Sequence, residues 1–427
     1  MKCKAFIFCV LLICLSVWCF SCFAAAAEKS KYAGQTIHVA MVWESREEAL
    51  KNMTAEFEEK TGIKVVIDLM GNADMKPKLL SLMQTKSPDY DIVQFDYSLL
   101  PFCVESGWLV DLTDWVERDK AEVQPEDFHP ALLQSHALYK DRWYAFPLHV
   151  NSGAFFYRTD IFNEMGFEAP TDWEDVINKA KAINEKYAPE LNGVAFMAAP
   201  DAFVSIWFQC TLASQGLDYY DANFKPLINT PGGEKALNIL MELGKYSPKG
   251  FGAYSIDQVY SAMSQGNVAM CPGFTSGWYL FQDPKSSKVV DKVSIMANPG
   301  GNTILGGWFL AISAFGKNKE AAWEWLKWST SMEMERRLLG NMECPRLSIL
   351  EDPELQKKYP NNRVFYEALE ANPLKMPMVK SVVELWMKAG VPLNEALTGI
   401  AEPKEVLERI QNDFTEVLKR DGYLKEQ

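Results

Sequence analysis

The side chains with the most chemical content are aromatic and acidic residues that fall in pairs at the ends of expected strands. Trp43 stands beside Glu44, Asp96 beside Tyr97, and Asn151 follows an extended piece ending at Pro147. Trp278 and Trp308 fall just past strands or at chain crossings, outside helical stripes. An indole face packs against the axial C–H groups of a sugar ring, and a neighbouring carboxylate accepts from two adjacent hydroxyls. The combination suits a sugar. For any single tryptophan, core packing or helix docking is the more frequent role. That reading is given to Trp115, Trp173, Trp323, Trp325 and Trp328, which lie within or at the starts of expected helices, while Trp386 fits either.

Other chemistries find less support. No HExxH, GxSxG, GxGxxG, Walker loop or kinase signature occurs. With 56 Asp and Glu, some carboxylate pair is always available, and sequence spacing does not reveal the separation a glycosidase needs. Four histidines (38, 129, 136 and 149) argue against a His-rich metal centre, and no metal or cofactor is expected. A net charge of −13 opposes nucleic-acid binding, which requires a basic face. An anionic solute would want guanidinium or ammonium groups, or helix N-termini, at its site. Arg46, Arg158 and Arg346 are the candidates, and each also reads as a plain salt-bridge residue.

The elements that must position these groups alternate. Thr36–Val42, Ile63–Leu69 and Tyr90–Phe95 read as strands, separated by helices beginning at Ser45 and at Lys76. Ser45 and Glu48 have the spacing of a capping box. Trp143–Pro147 and Ala154–Arg158 read as two extended pieces, and Pro170–Glu174 reads as another capping box, opening a helix to about Tyr187. Helices at 201–215 and 232–245, a strand near Val268–Cys271, an extended piece Gly306–Ile312 and a helix Lys319–Ser331 follow. From Asp352 the pattern is helical: 353–358, 362–371, 377–389 and 403–420, the last with Leu407, Ile410, Phe414 and Leu418 as its buried stripe. This alternation over 427 residues predicts α/β architecture with a mainly parallel sheet, in two domains or one large one.

Residues 1–27 differ in kind. Lys2 and Lys4 precede an apolar run from Ala5 to Phe20, and Ala24–Ala27 follow, the order of a secretory signal peptide cleaved near Ala26 or Ala27. Lipid attachment at Cys22 is a less favoured alternative, since Cys19-Phe20-Ser21-Cys22 lacks the small residues lipidation prefers. Beyond the leader no apolar stretch reaches the roughly 18 residues a membrane helix needs. The remaining cysteines, Cys103, Cys210, Cys271 and Cys344, are scattered in apolar contexts and are expected to be buried without an essential disulfide.

Five stretches, in order, carry a resemblance: Ala55–Val65 (AEFEEKTGIKV), Tyr90–Thr113, Trp143–Arg158 with Pro170–Val176, Gly266–Trp278 (GNVAMCPGFTSGW) and Gly306–Trp328. Together they resemble the bacterial extracellular solute-binding proteins of the carbohydrate type, the receptor subunits of ABC importers. The resemblance implies a two-lobed periplasmic-binding-protein fold with a hinge, an interlobe cleft and a helical C-terminal part. It implies one lobe from 35–149 with 311–344, a second from 154–304 with 350–427, and crossings at 150–153, 305–310 and 345–349. Carried over residue by residue, it puts Trp43, Glu44, Asp96, Tyr97, Asn151, Trp207, Trp278, Trp308 and Arg346 at the cleft. Asn151 stands where maltose-binding relatives carry a carboxylate, so maltose itself is not implied. The expected activity is non-enzymatic capture of a carbohydrate in the periplasm by a monomer that hands it to an ABC permease. The alternatives are a polyol, a sugar phosphate or another small solute, or an exported glycan hydrolase.

Overall fold

In the computed structural model residues 29–301, 303–371 and 379–424 are described. The expected leader, residues 1–27, lies outside them, as do the first two residues of the helix expected over 377–389. The strands are β1 (Thr36–Val42), β2 (Lys64–Met70), β3 (Ile92–Asp96), β4 (Leu138–Tyr139), β5 (Arg142–Trp143), β6 (Phe146–Arg158), β7 (Asn192–Val194), β8 (Val268–Phe274), β9 (Val293–Met296) and β10 (Leu305–Ile312).

The last four residues of β1 are buried, as a strand covered on both faces requires. It pairs in parallel with β2 and β3. Beyond β3 the sheet departs from the parallel expectation, because β10 runs antiparallel to both β3 and β6. The chain reaches β10 on its way back from the second lobe, so it enters the sheet from the opposite end. Of the two extended pieces expected at Trp143–Pro147 and Ala154–Arg158, Trp143 falls on β5, while Phe146, Pro147 and the whole second piece belong to one 13-residue strand, β6, in which Tyr157 alone is not buried. Its residues from Phe146 to Ser152 pair with β10, and those from Gly153 to Tyr157 pair with β8. At about 3.4 Å per residue, β6 crosses from the sheet of one lobe into that of the other. On the far side β8 runs parallel to β7, and β9 pairs with the end of β6.

The apolar core divides accordingly. One set, around Ile37, Met41, Phe57, Trp323 and Trp325, fills one face of the first sheet, and a second, around Val42, Leu79, Phe95 and Phe309, fills the other. A third, running from Phe155 through Trp173, Phe208, Leu240 and Met270 to Phe414, forms the second lobe. A small fourth set joins Leu132, Val150, Leu305, Leu350, Phe365 and Leu369 where the chain crosses. The C-terminal helix Pro403–Arg420 buries Leu407, Ile410, Phe414 and Leu418 as its 3.6-residue stripe requires, and Val406 and Val417 widen it.

Two local expectations change. The helix Ser45–Thr61 starts without a capping box: Glu44 is its N-cap, no side chain caps it, and Ser45 Oγ donates to the carbonyl of Asn341 instead. The helix Trp173–Tyr187 is capped by Asp172, which accepts from the Asp175 N–H at 2.9 Å. The free N-terminus of Ser45–Thr61 is tied down by charge. Arg46 and Glu335, both fully buried, meet at 2.6 Å and join this helix to the helix Met332–Leu338. The Cys344 thiol also donates to Glu335, at 3.4 Å.

Cys103, Cys210, Cys271 and Cys344 are free and buried, and burial pushes their thiols up, Cys210 to about 12. Protein lacking residues 1–27 is expected to be silent to a thiol reagent when native and to expose four reactive thiols in denaturant. Removing one partner of a fully buried pair strands the other's charge. Arg46→Ala is therefore expected to cost about 3–5 kcal/mol in urea unfolding.

Candidate functional site

A cavity of about 320 Å³ lies where the two lobes and the crossing strands meet. The first lobe contributes Glu44 after β1, Asp96 and Tyr97 at the end of β3, and Trp308 on β10. Glu44 and Tyr97 follow the carboxyl ends of neighbouring parallel strands, where open α/β sheets leave backbone uncovered. The crossings contribute His149, Asn151, Gly306 and Gly307. The second lobe closes the space with Phe203, Ile206, Asp257, Tyr260, Phe274, Ser276 and Trp386.

Two glycines allow the crossing strands to form this floor. Gly307 has φ +126, and a Cβ there would lie 2.0 Å from the carbonyl oxygen of His149. A Cβ on Gly306 would lie 2.4 Å from Asn151 Oδ1, so the Asn151 side chain occupies the space the glycine leaves. In the second lobe Tyr260 fills the space left over Gly273 and Gly277, and its hydroxyl accepts from the Phe274 N–H at 2.8 Å. The glycines of the GNVAMCPGFTSGW stretch thereby admit an aromatic wall.

The polar groups are mostly acceptors. Asp96 caps the short turn Tyr97–Leu99, accepting from the Ser98 N–H at 3.0 Å, and burial raises its carboxyl. Tyr97 stacks on His136 at 4.9 Å and 15°, and burial pushes its phenol up. His136 Nε2 lies 3.1 Å from the carbonyl of Gly306, and burial holds the ring neutral, down at about 4. His149, 2% exposed, has Nδ1 3.3 Å from Glu47 and Nε2 3.5 Å from Glu44. Glu47 also accepts from Gln94 Nε2 at 2.7 Å, and Gln94 Oε1 accepts from the Val42 N–H at 2.8 Å. Burial raises Glu44 while the charge of His149 pulls it back. Among the described residues lining the cavity there is no lysine or arginine. Lys76, whose charge reaches Asp96, stands outside the lining. Two buried polar atoms on lining residues have no partner among the described residues: the acceptor Asn151 Oδ1 and the donor Trp386 Nε1.

Of the nine residues placed at the cleft from sequence, Glu44, Asp96, Tyr97, Asn151 and Trp308 come together here. Trp43 is 64% exposed and outside the lining, though adjacent to Glu44. Trp207 is buried behind Phe274, with ring centroids 6.0 Å apart. Trp278 borders a different space, with Pro353, Gln356, Pro360 and Arg363. Arg346 is buried over the face of Phe128 and donates to the carbonyls of Val123, Gln124 and Thr330, and it is not among the residues lining the cavity. The other two candidate anion binders are also engaged elsewhere, Arg46 with Glu335 and Arg158 with Asp160 at 2.6 Å. His149 and Asp257 were not singled out. His149 lies two residues before Asn151 in the same strand, a spacing that puts both on one face, and this was the available signal. Asp257 opens a helix with no sequence mark of its own.

Comparison with known proteins bears on this arrangement. A probable amino-acid ABC transporter periplasmic-binding protein of Sinorhizobium fredii is 24% identical over 94% of both chains. A mannitol-binding protein of Pseudomonas aeruginosa is 22% identical over 82% of this chain and 85% of its own. Among solved structures, an ABC transporter solute-binding protein of Agrobacterium radiobacter K84 in complex with ribitol superposes with a TM-score of 0.81 at 29% identity, covering 90% of this chain and 99% of that one. The profile of the bacterial extracellular solute-binding proteins matches residues 43–336. With its two lobes and the cavity between them, the chain belongs to the family of bacterial extracellular solute-binding proteins, which are non-enzymatic receptors.

Proposed function

We propose that the cavity takes a small neutral polyhydroxylated solute, a polyol or a single sugar, and that the protein delivers it to the permease of an ABC importer. The observation that carries this reading is the character of the lining. It offers three carboxylates, an unpartnered amide acceptor, an unpartnered indole donor and two tryptophans, without a lysine or arginine among its described residues. A buried polar atom left unpaired costs about 1–3 kcal/mol. A hydroxyl, which both donates and accepts, satisfies an acceptor and a donor alike. A phosphate or a free carboxylate would instead meet Glu44, Asp96 and Asp257 with only His149 as a cation. A volume of about 320 Å³ is near the lower end of the range for small-molecule sites, roughly 300–1,000 Å³. This suits a ribitol- or mannitol-sized solute, of the kind bound by two of the relatives, over an oligosaccharide.

In the proposed cycle residues 35–149 with 311–344, and 154–304 with 350–427, move as units about crossings at 150–153, 305–310 and 345–349. The division of the apolar core along these ranges supports it. Solute contacts on both lobes favour the closed form by their difference in affinity between the two states. Export by cleavage of residues 1–27 would put the protein, as a monomer, in the periplasm. The Sinorhizobium relative motivates a second reading, an amino-acid solute, which would need a cation for its α-carboxylate.

A thermal-shift screen of the leaderless protein against ribitol, D-mannitol, monosaccharides, maltose, sugar phosphates and amino acids separates these classes, since a tight ligand raises Tm by mass action. The expected hits are polyols or monosaccharides, with their phosphorylated forms inactive; a response to amino acids alone would replace this reading with the second. By calorimetry, Trp308→Ala and Asp96→Ala are each expected to weaken the hit at least about tenfold. Unchanged affinity in both folded variants would remove the cavity from consideration.

A further inference from the structure

We propose that His149 is a positioning residue of this site: wedged between Glu47 and Glu44, it holds the Glu44 side chain at the cavity wall and makes solute affinity fall as the pH rises. The proposal rests on the cavity being the solute site.

The geometry gives the two glutamates unequal freedom. Glu47 is fully buried and cannot leave, because its Oε1 is held by Gln94, itself anchored on the β1 backbone at Val42. Glu44 sits at the N-cap with no side-chain cap hydrogen bond and 37% of its side chain exposed. Its contact with His149 Nε2, at 3.5 Å, is what ties it to the wall. With the imidazole protonated, one nitrogen donates toward each carboxylate. With the imidazole neutral, one contact loses its proton, and Glu44 faces the charge of Glu47 with no cation between them, free to turn to solvent.

The surroundings favour the protonated form. Glu44, Glu47 and Arg46 face His149 from the start of the helix Ser45–Thr61, Asp96 from the end of β3, Glu343 from the stretch that follows the helix Met332–Leu338, and His136 from the helix Pro130–His136. Arg46 is already paired with Glu335, and His136 is held neutral, so the balance facing His149 is acidic. Burial opposes the charge, yet the glutamates outweigh it and His149 is raised above the ordinary imidazole value. A histidine of this kind contributes its ion pairs fully below the ordinary value, about 6.5, and loses them as the pH rises through the raised one.

Two measurements test this on the leaderless protein. The first needs no solute. Nitrogen-15 NMR of the imidazoles, simplified by there being four histidines, is expected to show His149 titrating above the ordinary value. Glu44→Gln and Glu47→Gln should each lower that midpoint. A midpoint at or below the ordinary value, or one indifferent to Glu44→Gln, overturns the proposal. The second is calorimetric affinity for ribitol and D-mannitol between pH 6.5 and 9. Wild type is expected to weaken by about tenfold, the equivalent of one pK unit of linkage, while His149→Gln binds more weakly at pH 6.5, shows a flat profile and converges with wild type at pH 9. A variant that keeps the wild-type pH profile overturns the role of His149 even if it binds well. Failure of both polyols to bind at any pH counts against the solute class instead, and the imidazole titration still decides the positioning claim.

Discussion

The constraint on which the rest of the structure depends is that β6 belongs to two sheets at once. Of its first seven residues all but Leu148 pair with β10 in the ladder of the first lobe, and its next five complete that of the second against β8. A buried strand cannot leave its N–H and C=O groups unpaired, so the changeover at Ser152 and Gly153 has to occur within one residue step. The same few residues put His149 and Asn151 into the cavity. The floor of the cavity and the connection between the lobes are thus one piece of backbone. Any rotation at the changeover moves the floor, and any contact with the floor resists or assists the rotation.

Opposite β6, the Gly306-Gly307-Trp308 run solves a packing problem that side chains would make insoluble. The register of β10 shifts between Trp308 and Phe309, and a bulged strand needs backbone space on its partner's side. Gly307 supplies it at a φ that an L side chain rarely adopts, and Gly306 leaves room for the Asn151 amide. On its other side β10 keeps an unbroken register with β3, in which Trp308 stands across from Asp96. An aromatic face and a carboxylate from strands far apart in sequence become neighbours through strand register alone.

Much of this was legible in the chain. Strand–helix alternation, the glycine-rich stretches and the placing of Glu44, Asp96 and Tyr97 at strand ends depend on local pattern, and local pattern survives folding, whereas Asn151 and Trp308 lie inside β6 and β10 and not past a strand. What failed to show depends on long-range geometry. Trp207 and Trp278 carry the same composition signal as Trp308, but one faces the interior behind Phe274 and the other an outer hollow. Arg346 reads as a cleft cation until three backbone carbonyls and Phe128 are found around it. The antiparallel entry of β10 was hidden for a similar reason, since an apolar run carries no mark of its direction. The missing cap at Ser45 is different in kind: Ser45 and Glu48 have the right spacing, and tertiary contacts, Ser45 with Asn341 and Arg46 with Glu335, outcompete a local box.

Electrostatically, the helix Ser45–Thr61 is an unusual way to approach a ligand site. Its positive end would ordinarily be used to hold an anion. Here its first turn carries Glu47 and Glu48, and Glu44 precedes them, so the dipole is spent on the protein's own carboxylates. The charge that results is absorbed in two buried pairings, Arg46 with Glu335 and Glu47 with His149. A buried pair is weak evidence for stability, because desolvation offsets much of the attraction. Its value lies in geometry: each partner has one position in which it is tolerable. Arg46 fixes the helix against Met332–Leu338, Glu47 fixes His149, and His149 reaches Glu44, the member of the chain with freedom to move. The carboxylate facing the cavity is therefore placed by a series of groups that have nowhere else to go, and the wall it belongs to is acidic, with no lysine or arginine among its described residues.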